Sequence, residues 1–208
     1  MQHALNLPPT PQPSTPLPFA DYSYPNSAKG WNGIVFVGEA PGAEEARLGR
    51  PFVGRSGQLL DKMLEQAQID RARSLIANVF RYQPPSNKVD HFFTSRRAAV
   101  AEGIGISECY GKFGSTFCRA DYASEIDHLR DMLIQQKPKI IVALGRTPMW
   151  ALTGENSLLN KVGSPLPCRL MPTVSVLPTY HPSFILRGNW KLQDEWLKHF
   201  LLAAQSAL

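Results

Sequence analysis

The strongest constraint on this chain is a set of four short apolar runs, Gly33–Val37, Ser74–Phe80, Lys139–Leu144 and Thr173–Leu177. Each is rich in Ile and Val, and stretches with helical spacing separate most of them. Strands this apolar must bury both faces, which a parallel sheet covered by helices on each side provides. Helices are expected over about 56–68, 122–136, 146–153 and 191–206. In the last, Leu192, Trp196, Phe200 and Ala203 recur every three or four residues and make one buried face. The expected fold is therefore α/β, a single domain over 31–208 with a central four-stranded parallel sheet flanked by helices. Segment 86–121 is too long for a crossover loop and reads as an insertion after the second strand, with a short helix near Thr94 to Glu102. Residues 1–30 stand apart: Pro8, Pro9, Pro11, Pro13, Pro16, Pro18 and Pro25 interrupt any helix or ladder, leaving an extended or disordered arm.

Composition narrows the functional classes. No apolar run approaches the roughly 18 residues of a membrane helix. The start of the chain lacks a basic-then-apolar signal pattern, so a cytoplasmic location is expected. A net charge of +5 and a pI near 9.2 suit a polyanionic partner such as nucleic acid. Cys109, Cys118 and Cys168 are odd in number and scattered, with no C-x-x-C, which argues against a disulfide framework or a zinc knuckle. His91, His128 and His199 show no metal spacing either.

In a parallel α/β sheet, ligands bind beyond the carboxyl ends of the strands. The residues there are Gly38-Glu39-Ala40-Pro41-Gly42, Asn78 with the loop from Arg81 to Pro85, Gly145-Arg146, and Thr179 to Ser183. Convergence of these loops would bring Glu39, Glu45, Phe52, Asn78 and His181 to one site. Nucleotide-phosphate binding fares worse, because neither G-x-x-x-x-G-K-[ST] nor G-x-G-x-x-G occurs.

The motifs at these strand ends, G-E-A-P-G, then G-R-P-F-V-G-R-S-G-Q-L-L, A-N-V, V-A-L-G and H-P-S-F-I-L-R, resemble the uracil-DNA glycosylase superfamily, family 4 above all. The resemblance covers about 33–88 and 138–190. It implies a four-stranded parallel sheet and an activity that flips uracil out of DNA and hydrolyses its glycosidic bond. Family 4 also implies an iron–sulfur cluster on four cysteines. Here no cysteine precedes Ile34, and Tyr82 and a position near Ser124 stand where two of the ligands would be. Four-thiolate ligation is impossible with three cysteines. No cofactor and no metal are expected, and the insertion is a candidate for bracing what the cluster would brace.

The resemblance assigns Gly38, Glu39, Gly42, Phe52, Asn78 and His181 to uracil, and Gly57, Ser183 and Arg187 to DNA. A side-chain amide matches uracil O4 and N3–H, so Asn78 can read the base; cytosine inverts both bonds and leaves buried groups unpaired, at roughly 1–3 kcal/mol each. Alternatively, Asn78 merely turns the chain at a strand end. Phe52, set between Pro51 and the Gly54 turn, can stack on a flipped base, or be an ordinary core residue. A His181 N–H aimed at uracil O2 would stabilise the charge that develops there.

The acids are the harder assignment. Ala40 stands where better-known members of the superfamily carry a water-aligning Asp. That leaves Glu45 to order water or oppose the cationic sugar, and Glu39 to act there or to organise the backbone. Glu45 could instead be a solvent-facing acid in a first helical turn. Gly42 stands where the first family has a Tyr that excludes 5-methyl groups, so selectivity against thymine is left open by this residue.

Two function classes follow. One is a monofunctional glycosylase, expected to be a monomer acting on uracil-containing DNA and leaving an abasic site. The other is a non-hydrolytic or weakly active binder of abasic or 5-modified-pyrimidine DNA.

Overall fold

The computed structural model describes residues 17–208. In chain order the elements are strand β1 (Ile34–Gly38), helices α1 (Ala43–Leu48) and α2 (Arg55–Gln66), strands β2 (Leu75–Asn78) and β3 (Phe93–Thr94), helix α3 (Arg96–Glu102), strands β4 (Ile106–Phe113) and β5 (Thr116–Arg119), helix α4 (Ala120–Gln136), strand β6 (Ile140–Leu144), helix α5 (Arg146–Thr153), strands β7 (Leu166–Pro167) and β8 (Ser175–Thr179), and helices α6 (Pro182–Leu186) and α7 (Gln193–Ser206).

The central sheet runs β2-β1-β6-β8-β7. Its first four strands are the four apolar runs and are mutually parallel. The fifth, β7, is antiparallel to β8 and only two residues long, so it extends the expected four-stranded sheet by a short edge. It carries no apolar run, and Pro167 suits an edge strand that needs no ladder donor there.

Alternate residues of each central strand face opposite layers. Val35, Val37, Ala77, Ile141, Ala143 and Val176 pack with Ile126, Leu129 and Leu133 of α4 and with Met149 and Trp150 of α5. On the other side, Ile34, Phe36, Ile76, Ile140, Val142 and Leu177 meet Leu60, Met63 and Leu64 of α2 and Trp196, Phe200 and Ala203 of α7. Burying both sides is why these strands lack polar alternation.

Segment 86–121 contains the expected short helix, α3, capped by Ser95, whose Oγ accepts from Ala98 N, and stopped by Gly103 at φ 65°. It also holds a three-stranded antiparallel sheet, ordered β3-β5-β4. The segment docks through aromatics: Phe93 and Phe113 meet Trp150 of α5 at 5.3 and 5.4 Å, and Phe92 stacks on Phe80 at 4.2 Å.

Of the Pro-rich arm, Pro8, Pro9, Pro11, Pro13 and Pro16 lie outside the described residues. From residue 17 on, the chain is extended against the edge of β2. Ser23 and Ile76 exchange both backbone hydrogen bonds, Ala20 N donates to Arg81 O, and Ala20 and Tyr22 are buried.

Candidate active site

The carboxyl ends of β1, β2 and β8, with the loops that leave them, enclose a cleft of about 500 Å³. Glu39, Gly42, Glu45, Phe52, Asn78, His181, Ser183 and Arg187 all line it. Two assigned glycines, Gly38 and Gly57, are not on its wall, and both serve Phe52. A Cβ on Gly38 would overlap the Asn78 Oδ1 and the tip of the Phe52 ring; a Cβ on Gly57 would overlap the Phe52 carbonyl. Gly57 is buried beneath that loop.

Phe52 adopts φ 54°, a left-handed conformation that an aromatic residue rarely holds without support. The support comes from three sides. Arg71 Nη2 donates to the carbonyls of Pro51 and Phe52 at 3.1 and 3.0 Å. Glu45 Oε1 accepts from Val53 N and Gly54 N at 3.1 and 2.9 Å. Gly57 supplies the space below. The ring is 5% exposed and its centroid lies 5.7 Å from that of His181. Phe52 is thus both well packed and on the cleft wall.

Asn78 ends β2 directly opposite Gly38. It is 3% exposed, yet its carboxamide has no hydrogen-bond partner among the described residues, and it borders the cleft. A buried amide is normally satisfied within the protein. This one instead opens onto the cleft.

His181 caps the N-terminus of α6. Its Nδ1 accepts from Ser183 N at 3.1 Å and lies 2.8 Å from Ser183 Oγ. That hydroxyl in turn accepts from Arg187 Nη1 at 3.1 Å, so its own proton points to the imidazole. With Nδ1 an acceptor, the neutral ring carries its proton on Nε2. Burial, with the Arg187 charge adding to it, lowers the imidazole pKa to about 4. At neutral pH His181 is an uncharged N–H donor.

The two acids are held differently. Glu45 spends Oε1 on the Phe52 loop; its Oε2 projects toward Gly42, where a Cβ would come within 2.9 Å. Glu39 Oε2 accepts from the hydroxyl of Thr147, which is fully buried. Burial raises the Glu39 carboxyl pKa, and the Thr147 hydrogen bond opposes that rise.

Several contributors were invisible in the sequence. Arg71 and Thr147 act on site residues 19 and 108 positions away, and no local pattern marks them. Arg55, Ser56, Pro84 and Asn87 also line the cleft. A loop signal existed for Asn87, since Pro84-Pro85 sets the turn in which Ser86 and Asn87 both adopt positive φ.

The residues do not fit an iron–sulfur cluster. Cys109 is exposed, Cys118 and Cys168 are buried, and no group of three or more His, Cys, Asp or Glu among the described residues could hold a metal. Burial pushes the Cys118 thiol up to about 12, which disfavours the thiolate a metal needs. Tyr82 instead packs edge-on against Phe19 at 5.3 Å and Tyr122 at 6.4 Å. Beside it, Arg81 Nε donates to the buried Glu125 carboxylate at 2.9 Å, and its guanidinium lies over Phe19 and Tyr22. The N-terminal segment, the β2 exit and α4 are joined by these contacts, with His91 and Phe92 of the insertion also against Tyr122.

Comparison with known proteins adds independent findings. A family profile described as Uracil DNA glycosylase superfamily matches residues 31–205. A protein of Thermotoga maritima named Type-4 uracil-DNA glycosylase is 34% identical over 158 residues, 75% of this chain and 67% of that protein. One of Sulfurisphaera tokodaii with the same name is 33% identical over 160 residues, 74% of this chain and 60% of its own length. One of Archaeoglobus fulgidus is 36% identical over 93 residues, 40% of this chain and 46% of the relative.

Proposed function

The chain belongs to the uracil DNA glycosylase superfamily, and from that premise we propose that it flips uracil out of DNA and hydrolyses the N-glycosidic bond, leaving an abasic site for base excision repair. The observation that carries this reading is the partnerless, buried Asn78 carboxamide, which shares one cleft with Phe52 and the His181 Nε2–H.

Uracil seated there stacks on Phe52, accepts at O4 from Asn78 Nδ2 and donates N3–H to Asn78 Oδ1. As the glycosidic bond lengthens, its electron pair moves into the pyrimidine and charge accumulates on O2. The His181 Nε2–H, fixed by the Ser183–Arg187 chain, donates to that oxygen without needing a proton from solvent. Glu45 Oε2, free of the Phe52 loop, accepts from the water that attacks the cationic sugar, and Glu39 adds negative potential beside it. Ser183 and Arg187 meet the DNA backbone, while Gly38 and Gly57 admit the Phe52 loop to the pocket floor. The same reading makes the protein a cytoplasmic monomer with no bound cofactor; no helix among the described residues is long and apolar enough to cross a membrane.

The test is incubation with oligonucleotides carrying uracil, thymine or 5-hydroxymethyluracil, followed by alkaline cleavage. Strand scission at uracil is expected. Binding of abasic DNA with no scission on any of the three would replace the glycosylase by a damage-binding protein.

A further inference from the structure

We infer that a groove beside the cleft, lined by Arg55, Gln58, Lys62, Leu186, Trp190 and Gln193, is a stacking subsite for a base of the DNA strand next to the flipped nucleotide. The inference rests on the glycosylase reading for the identity of the strand, but its chemistry is independent of excision.

The groove encloses about 210 Å³ between one face of α2 and the turn that joins α6 to α7. Arg55, Gln58 and Lys62 share that face because they are three and four residues apart on a helix. Trp190 closes the opposite wall. It is 49% exposed, and no aromatic ring among the described residues packs against it. Its indole therefore offers a flat face on which a base can stack. The other wall residues supply what a nucleotide needs besides a stacking face. Arg55 and Lys62 are exposed and form no ion pair among the described residues, and Gln58 and Gln193 offer amide donors and acceptors.

Continuity fixes the occupant. Arg55 lines both this groove and the candidate active-site cleft. A polyanion leaving the cleft on that side passes the Arg55 guanidinium and enters the groove that Trp190 walls. Unpaired cations interleaved with an exposed aromatic are the combination that holds single-stranded nucleic acid with little base preference. Leu186 links the two sites, being in the helix that His181 caps.

Fluorescence anisotropy tests this with labelled single strands carrying an uncleavable uracil analogue, extended on its 5′ side only or its 3′ side only. The proteins are the parent, Trp190→Ala, Trp190→Phe and Lys62→Ala. Trp190→Ala should lose about 5- to 150-fold in affinity on one of the two extensions, the range that removing one stacked base gives. Trp190→Phe should keep most of the parent affinity. Lys62→Ala should reduce the salt slope of binding by about one. Far-UV circular dichroism checks that the exposed-site variants remain folded. Parental affinity in Trp190→Ala on both extensions, with uracil still excised by the parent, overturns the subsite and leaves the glycosylase reading standing. Loss of affinity in Trp190→Ala by a parent that excises no uracil keeps the subsite and overturns the glycosylase reading. Equal loss on both extensions overturns its placement beside the cleft, and a parent that binds neither strand overturns both.

Discussion

Replacing His181 by Ala removes a hydrogen-bond donor and a titrating group together, so one variant tests two consequences of the same geometry. The first is kinetic. The imidazole is neutral, its Nδ1 is committed to Ser183, and Nε2–H is the one donor the ring has left for the leaving base of the proposed reaction. Loss of one preorganised donor to a developing anion costs on the order of 10²–10³ in rate. Binding of an uncleavable uracil analogue should change far less, because Asn78 and Phe52 remain. The second consequence is thermodynamic. The folded state holds the imidazole at about 4, against 6.5 in a model peptide. Above about 6.5 neither state carries the proton and His181 contributes nothing to the pH dependence. Below it the unfolded chain binds a proton that the folded chain refuses, so stability falls as pH drops, by about 2–3 kcal/mol by pH 4. His181→Ala should lack that part of the acid loss. Single-turnover rates with excess enzyme and urea titrations at pH 7 and pH 4.5 measure the two effects. An unchanged single-turnover rate removes His181 from the mechanism, and identical acid destabilisation in parent and variant refutes the neutral, desolvated ring.

Other outcomes follow from the same site. Asn78→Asp replaces a donor with an acceptor opposite uracil O4, and should abolish measurable excision while the melting temperature stays near that of the parent. Gly57→Ala forces a methyl group into the Phe52 carbonyl; it should lower stability by about 1–3 kcal/mol and weaken uracil-analogue binding, read by thermal melts and anisotropy. The purified protein should be colourless and bind no stoichiometric iron, which elemental analysis and the visible spectrum check. Glu125→Gln leaves the Arg81 guanidinium short of its buried counter-charge; it should lower the melting temperature by several degrees without changing the metal content.

The main architecture was legible because burial on both faces left a plain mark on β1, β2, β6 and β8. Helices α2, α4, α5 and α7 were legible through their apolar spacing. The hairpin of β4 and β5 was not, since much of β4 is only partly buried and its residues show neither a clean alternation nor an apolar run. Asn78 and His181 were legible because strand ends are where such sheets bind ligands, and Phe52, in the loop between α1 and α2, through the family resemblance. What supports them was not. Arg71 pins the Phe52 carbonyl and Thr147 holds Glu39 through contacts that exist only after the chain has folded. Gly57 shows a different limit: the resemblance assigned it to DNA, and nothing in its local sequence signalled that its missing side chain makes room for the Phe52 backbone.

The strand order carries a kinetic consequence. Strand β1 lies between β2, about forty residues onward, and β6, more than a hundred residues onward. Non-local pairings of this kind form late, because closing long loops costs entropy before any contact returns it. The β1–β2 pair can therefore form early and already places Asn78 opposite Gly38. His181 joins them only when β6 has docked on β1 and β8 on β6. A chain halted between those events would hold the Asn78 amide without the imidazole that shares its cleft. Catalytic competence should accordingly appear in a refolding experiment as the last signal to recover, after the helices and most of the tryptophan burial.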